Sequence, residues 1–179
     1  LSDQFLCRSV YLEPGDTNVV ECSFGDWTEI LIPKEARNRA NRLMLVAATA
    51  AVEANAASTM TSLLLTDKEE ADADQAAAAF YGLLQSIRSG RGYEELDGMS
   101  PIFGAKTQAP LVSISWIPGR PLSFGLDEAQ SIALNLFAAA EGAETDNWLQ
   151  RSCFEAGVSN ELLDRIFANF AKYRNQAND

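Results

Sequence analysis

An α+β fold is predicted by three features of the sequence. Two short β-branched and aromatic runs flank Gly25-Asp26; a second alternating run follows Pro110; alanine and leucine recur at helical spacing through long stretches. The arrangement expected is two β-hairpins in one antiparallel sheet, with roughly four to five helices packed mainly on one face. A chain of 179 residues, 47% of them hydrophobic, suits a single domain over 1–179 with a proper core.

The first hairpin is expected at residues 19–24 and 27–32, because a two-residue Gly-X link suits a tight turn. Pro33 then fits the first turn of a helix, where its missing N–H costs nothing. Ala36, Ala40, Leu43, Met44, Ala47, Ala51 and Ala54 fall on one face of that helix. The segment 58–65 is open to two readings, an extension of the helix or a short strand. Thr66 and Glu69 have capping-box spacing ahead of a second helix, with Ala73, Ala76, Ala77, Phe80, Leu83, Leu84 and Ile87 as its buried stripe. Glycines and Pro101 make residues 90–109 read as a long irregular connection.

From Pro110 the opening pattern returns. Residues 111–117 alternate, Pro118-Gly119-Arg120 forms a turn, and residues 121–124 give a short strand. The following helix carries Ala129, Ile132, Ala133, Leu136, Phe137 and Ala140 on one face. Ala36, Ala40 and Leu43 align with Ala129, Ala133 and Leu136, so units 19–57 and 110–144 are compatible with an internal hairpin-helix duplication. A helical segment over 146–174 closes the chain: Asp146 and Ser159 read as caps, Gly157 as a stop, and Leu163, Ile166, Phe167, Phe170 and Tyr173 as one face.

Composition narrows function more than any motif does. The chain has no histidine, which excludes Ser-His-Asp and Cys-His nucleophile pairs and every imidazole zinc site. Cys7, Cys22 and Cys153 are dispersed, with no CxxC pair, so neither a metal site nor a cofactor is expected. An odd count fits free thiols in the cytoplasm, although a Cys7–Cys22 bridge fits an exported product. No leader pattern is read at the N-terminus, and no membrane partner is expected, because Arg39 and Arg42 on one side and Glu53 on the other bracket the longest apolar run. The formal net charge is −11, which repels phosphate backbones and suits solubility or a basic partner.

Three constellations remain. Lys34, Arg37, Arg39 and Arg42 are the one basic cluster, an anion or nucleic-acid contact or, more simply, a solvated face on which Glu35 can pair with Arg39. Residues 153–166 resemble a helix-turn-helix, with Gly157 at the turn and Leu163 and Ile166 following. That resemblance implies nucleic-acid contact through residues such as Arg165, but Glu161 and Asp164 stand where donors belong, and a helical corner is the simpler reading. Trp27 and Trp116 sit at comparable hairpin edges and, with Arg120, are the expected anchors of a protein partner, against the alternative of core packing. Residues 122–144 are similar to the EAxxLAxALxxAA endings of many uncharacterised bacterial and phage proteins, a likeness that implies no activity. The function expected is therefore non-enzymatic protein interaction, as an adaptor, an inhibitor or immunity-type partner, or a small subunit of an assembly. A nucleic-acid-associated regulator and an enzyme with carboxylate or thiol chemistry are the alternatives.

Overall fold

The structure, a computed structural model, describes residues 4–12, 17–64, 70–90, 97–104, 107 and 109–176. It is an α+β architecture of four helices and two separate three-stranded antiparallel sheets, with helices packed against them. In chain order the elements are β1 Leu6–Leu12, β2 Thr17–Phe24, β3 Trp27–Leu31, α1 Pro33–Leu64, α2 Glu70–Gly90, β4 Met99–Gly104, β5 Ala109–Ile114, β6 Leu122–Gly125, α3 Leu126–Glu155 and α4 Asn160–Gln176. The expected single sheet is thus corrected to two meanders, β1-β2-β3 and β4-β5-β6. Each meander gains one strand that the sequence concealed, β1 in one and β4 in the other. Pro101 argues against a strand, yet β4 lies at a sheet edge, where a missing N–H leaves no ladder bond unmade.

By its contacts the chain falls into two compact units, residues 1–38 with 134–179, and residues 39–133. In the first unit the Gly25-Asp26 turn forms as expected: Gly25 has φ 59° and Phe24 pairs with Trp27. Val20 pairs with Ser9 on one side and Leu31 on the other, and both Val20 and Leu31 are buried. Pro33 opens α1, where Glu35 and Ala36 donate their amides to the Ile32 carbonyl and the Glu35 carboxylate accepts from the Ile32 N–H. Glu35 therefore closes a helix cap rather than taking Arg39 as its partner.

β3 ends at Leu31, opposite Val20, so the β2 peptides before Val20 have no strand on that side. Asn147 of α3 takes the strand's place. Its carboxamide accepts from the Asn18 N–H at 2.6 Å and donates to the Asn18 carbonyl at 2.9 Å. Asn18 is buried, so both groups would otherwise lie unpaired away from water.

The second unit repeats the meander. Val112 pairs with Pro101 and Phe124, all buried, in the register that Val20 shows with Ser9 and Leu31. Its hairpin opens into a longer connection at residues 115–121, closed by the Arg120 N–H donating to the Ile117 carbonyl. The segment 58–64 extends α1, while Leu65 and the Thr66–Glu69 capping pair lie outside the described residues. Along α1 the buried positions are Ala36, Ala40, Leu43, Val46, Ala47, Ala50, Ala57 and Thr61. Met44 is exposed and the stripe falls on Ala50 rather than Ala51, as a 3.6-residue period requires over so long a helix.

Three further expectations change. The α2 stripe is rotated: Tyr81 is buried while Leu83 and Ile87 are exposed. The helix expected to start after Asp146 is the continuation of α3, which runs unbroken through Gly142 and Asp146 to Glu155. The expected barrier to a membrane-length helix also weakens, because α1 runs on through Glu53 without a break. Among the described residues, Pro33–Leu63 is a helix long and apolar enough to cross a membrane by length and composition, its most apolar 18-residue stretch having mean hydropathy 1.3.

Asn147→Ala should lower stability by about 2 kcal/mol, because it strands the buried Asn18 N–H and carbonyl. Urea denaturation of the purified variant measures this, and a loss within error of zero would show that water or a neighbour replaces the carboxamide.

Candidate functional site

Arg39, Arg42 and Trp116 come together in the second unit around Asp97, a residue outside every sequence-derived candidate. Arg42 lies 3.2 Å and Arg39 3.7 Å from the Asp97 carboxylate. The Arg39 guanidinium also stands 5.1 Å from the centroid of the Trp116 ring. The indole Nε1–H donates to the Asp97 carbonyl at 3.0 Å. Asp97 is the one described non-glycine residue with positive φ, 57°, and Gly98 follows at 72°. The backbone enters β4 through these two left-handed residues, and the Ser115 N–H donates to the Gly98 carbonyl at 2.7 Å. The cluster thus binds the entry of β4 to α1 and to the loop after β5. Trp116 is half-buried, as a packed tryptophan with a satisfied N–H should be.

Of the other basic residues, Arg37 is similarly engaged. Arg37, in the first unit, reaches Glu144 at 2.6 Å and Glu141 at 2.7 Å, and these carboxylates hold its guanidinium above its ordinary pKa. Arg120 is exposed in the turn after Ile117, and Lys34 is exposed on the first turn of α1. Trp27 is half-buried at the start of β3, its ring 6.0 Å from that of Phe5. Ladder register matches Trp116 with Phe24 and not with Trp27, since Cys22 and Ile114 are equivalent and each lies two residues earlier. Trp27 belongs to the first unit and Trp116 and Arg120 to the second.

At the C-terminal corner, Gly157 has φ 83° and the Val158 N–H donates to the Cys153 carbonyl, which ends α3. The Leu162 and Leu163 amides donate to the Ser159 carbonyl, which starts α4. Leu163 and Phe167 are buried, and Arg165 is exposed next to Asp164, which accepts from the Tyr11 hydroxyl at 3.4 Å.

What the sequence reading missed is a set of large apolar side chains left on the surface of α3 and α4. Trp148 is 64% exposed, Phe154 62%, Phe170 49% and Leu162 47%. The signal was present: Leu136, Ala140 and Ala143 project the buried stripe of a continuous α3 onto Asp146 and Asn147, which turns Trp148 outward.

A buried polar group lies between α1 and α2 of the second unit. Arg88 and Glu53 form an ion pair at 3.0 Å, with both side chains largely shielded. Burial pushes the Glu53 carboxyl up, against the pull of Arg88. The Tyr81 hydroxyl is buried with them without a hydrogen bond of standard geometry. Burial first and the Glu53 charge second push its pKa up to about 12. A cavity of about 390 Å³ in the same unit is lined by Ala51, Ala54, Ala57, Ala77, Phe103 and Pro110 among others, with no charged side chain. Among the described residues no group of three or more His, Cys, Asp or Glu could hold a metal ion. No family model, curated protein or solved structure matches this chain.

A double-mutant cycle of Arg39→Ala and Trp116→Ala should return a coupling of about 0.5–1 kcal/mol, the size of a partly exposed cation–π contact. Coupling indistinguishable from zero would mean that the stack contributes no stability.

The folded chain holds the Tyr81 proton more tightly than the unfolded chain, so stability falls as pH rises from 10.0 to about 12. Tyr81→Phe should remove that contribution while costing under about 1 kcal/mol at neutral pH, since no well-formed hydrogen bond is lost. Urea titrations at neutral pH and across the alkaline range check both parts. An unchanged alkaline slope would place the titration elsewhere.

Proposed function

We propose that the protein is a non-enzymatic interaction module that binds a basic, amphipathic segment of another protein through α3 and α4 of the first unit. The observation carrying this reading is Trp148, a tryptophan with 64% of its surface exposed on a well-formed helix. Tryptophan is seldom left so open without a use, and interface energy concentrates in a few such aromatic anchors. Phe154, Leu162 and Phe170 add exposed apolar area on the same two helices. Residues 134–170 carry six acids against Arg151 and Arg165, and the chain as a whole is −11. An apolar surface set among acids favours a partner whose apolar side chains are flanked by Lys and Arg. The absence of histidine from the sequence supports a non-enzymatic role. Trp27, Trp116 and Arg120 become packing or turn residues in this reading, rather than anchors. The matching registers of the two meanders support descent from one duplicated meander-helix unit.

The test titrates the whole chain with a helical peptide built of Leu and Lys, its Leu and Glu counterpart, and a short DNA duplex. The basic peptide is expected to bind and the acidic one not. Trp148→Ala should weaken binding by ~30-fold, the cost of losing an anchor worth ~2 kcal/mol, with the melting temperature unchanged. Equal binding of both peptides, or no effect of Trp148→Ala, would overturn the reading. A salt-sensitive duplex complex weakened by Arg165→Ala would replace it with nucleic-acid binding through α4.

A further inference from the structure

The antiparallel register of β1 and β2 sets Cys7 directly opposite Cys22. Directly opposed residues share one face of the sheet, with Cβ atoms roughly 4.5–5.5 Å apart. Both thiols are free, Cys22 buried and Cys7 half-buried on the edge strand. Their side chains are close enough that a hydrogen bond to Cys22, ahead of burial, pushes the Cys7 thiol up. A disulfide asks for a Cβ separation of about 3.5–4.5 Å, so the two strands need converge by only about 1 Å. Cys153 lies far away in sequence, on α3, and is also free.

We propose that Cys7 and Cys22 are a modification site: a reversible cross-strand disulfide that staples the edge strand β1 to β2. The oxidant is a disulfide, either a small one such as oxidised glutathione or that of an oxidoreductase. The Cys7 thiolate attacks one sulfur of the oxidant, forming a mixed disulfide and expelling a thiolate. The Cys22 thiolate then attacks the Cys7 sulfur, closing the cross-strand bond and expelling the second thiolate. The chain loses two protons and two electrons, and the oxidant gains them as two thiols. The strand docked in the folded sheet keeps the Cys7 thiol protonated and the Cys22 sulfur covered, which makes exchange slow. Bridging therefore proceeds while β1 is undocked, during folding or edge opening, and the closed bond then holds the strand in place.

The test uses the full chain carrying Cys153→Ser, unfolded and refolded in oxidised glutathione or in reductant. Oxidative refolding should yield a monomer lighter by ~2 Da, with the Cys7 and Cys22 peptides linked after digestion. Its melting temperature should exceed that of the reduced form by about 5 °C or more, and reductant should abolish the difference. A second variant, Cys7→Ala with Cys153→Ser, should show no oxidant-dependent shift. Full alkylation of both cysteines after oxidative refolding, bridging only between chains, or a linked monomer that melts no higher than the reduced one would each overturn the proposal.

Discussion

A three-stranded sheet has one apolar face to keep from water, so each sheet in this protein depends on the helices that cover it. That requirement explains the composition of α1 and α3. Both bury alanine at close spacing, Ala36, Ala40, Ala47 and Ala50 in one and Ala129, Ala133, Ala140 and Ala143 in the other. Small residues let a backbone approach closely, and Leu43 and Leu136 supply the bulk between them. Where α3 lies beside a strand that lacks its neighbour, Asn147 carries the same logic into hydrogen bonding. A side-chain amide sets an N–H donor beside a carbonyl acceptor, and so can stand in for a missing strand.

Charge in this protein is placed by similar needs. The basic cluster of α1 reads in sequence as a surface for an anion, but Arg37, Arg39 and Arg42 each reach a carboxylate within the fold. Asp97 does more than neutralise charge. Its carboxylate draws in two arginines while its carbonyl takes the Trp116 N–H, so one residue in a left-handed conformation is held from three directions. Such a conformation costs free energy that the surrounding contacts must offset. The buried Glu53–Arg88 pair is a different case. Removing two charges from water is costly, and the attraction between Glu53 and Arg88 at 3.0 Å works against that cost.

The local features were legible in the sequence. A Gly-Asp turn, a proline at the first turn of α1, a glycine stop after α3 and the alanine periodicity of α3 and of the first turns of α1 each depend on neighbours within a few residues, and each appears where expected. The strands β1 and β4 were not legible, because Arg8 and Ser9 interrupt the apolar residues of one, Pro101 stands in the other, and both are edges paired on one side only. α3 was divided at Asp146 because aspartate before an apolar residue resembles a cap. Inside the fold the same residue is buried within a continuous helix. The partners of the basic cluster were not legible for a related reason. Arg37 meets Glu144 and Arg39 meets Asp97 across separations of sequence that no periodicity reports.

The alanine faces also set the limits of the packing. A residue small enough to admit a backbone fills little space where the backbones diverge, and the cavity beside Ala51, Ala54 and Ala77 lies where α1, α2 and the second sheet part company. Larger side chains there would close the gap, but they would also hold the helices further from the sheet along the rest of their length. The same reasoning accounts for the apolar residues that remain outside. A stripe of small residues uses only a narrow arc of each helix, so Leu45, Val52 and Leu63 of α1 and Trp148 of α3 fall on arcs that the fold does not cover. Among these, Trp148 differs from the aliphatic residues in kind. An exposed leucine on a long helix costs little and needs no explanation, whereas an open indole of that size offers both apolar area and a free N–H donor position at low conformational entropy. Under the proposed function that indole is the anchor.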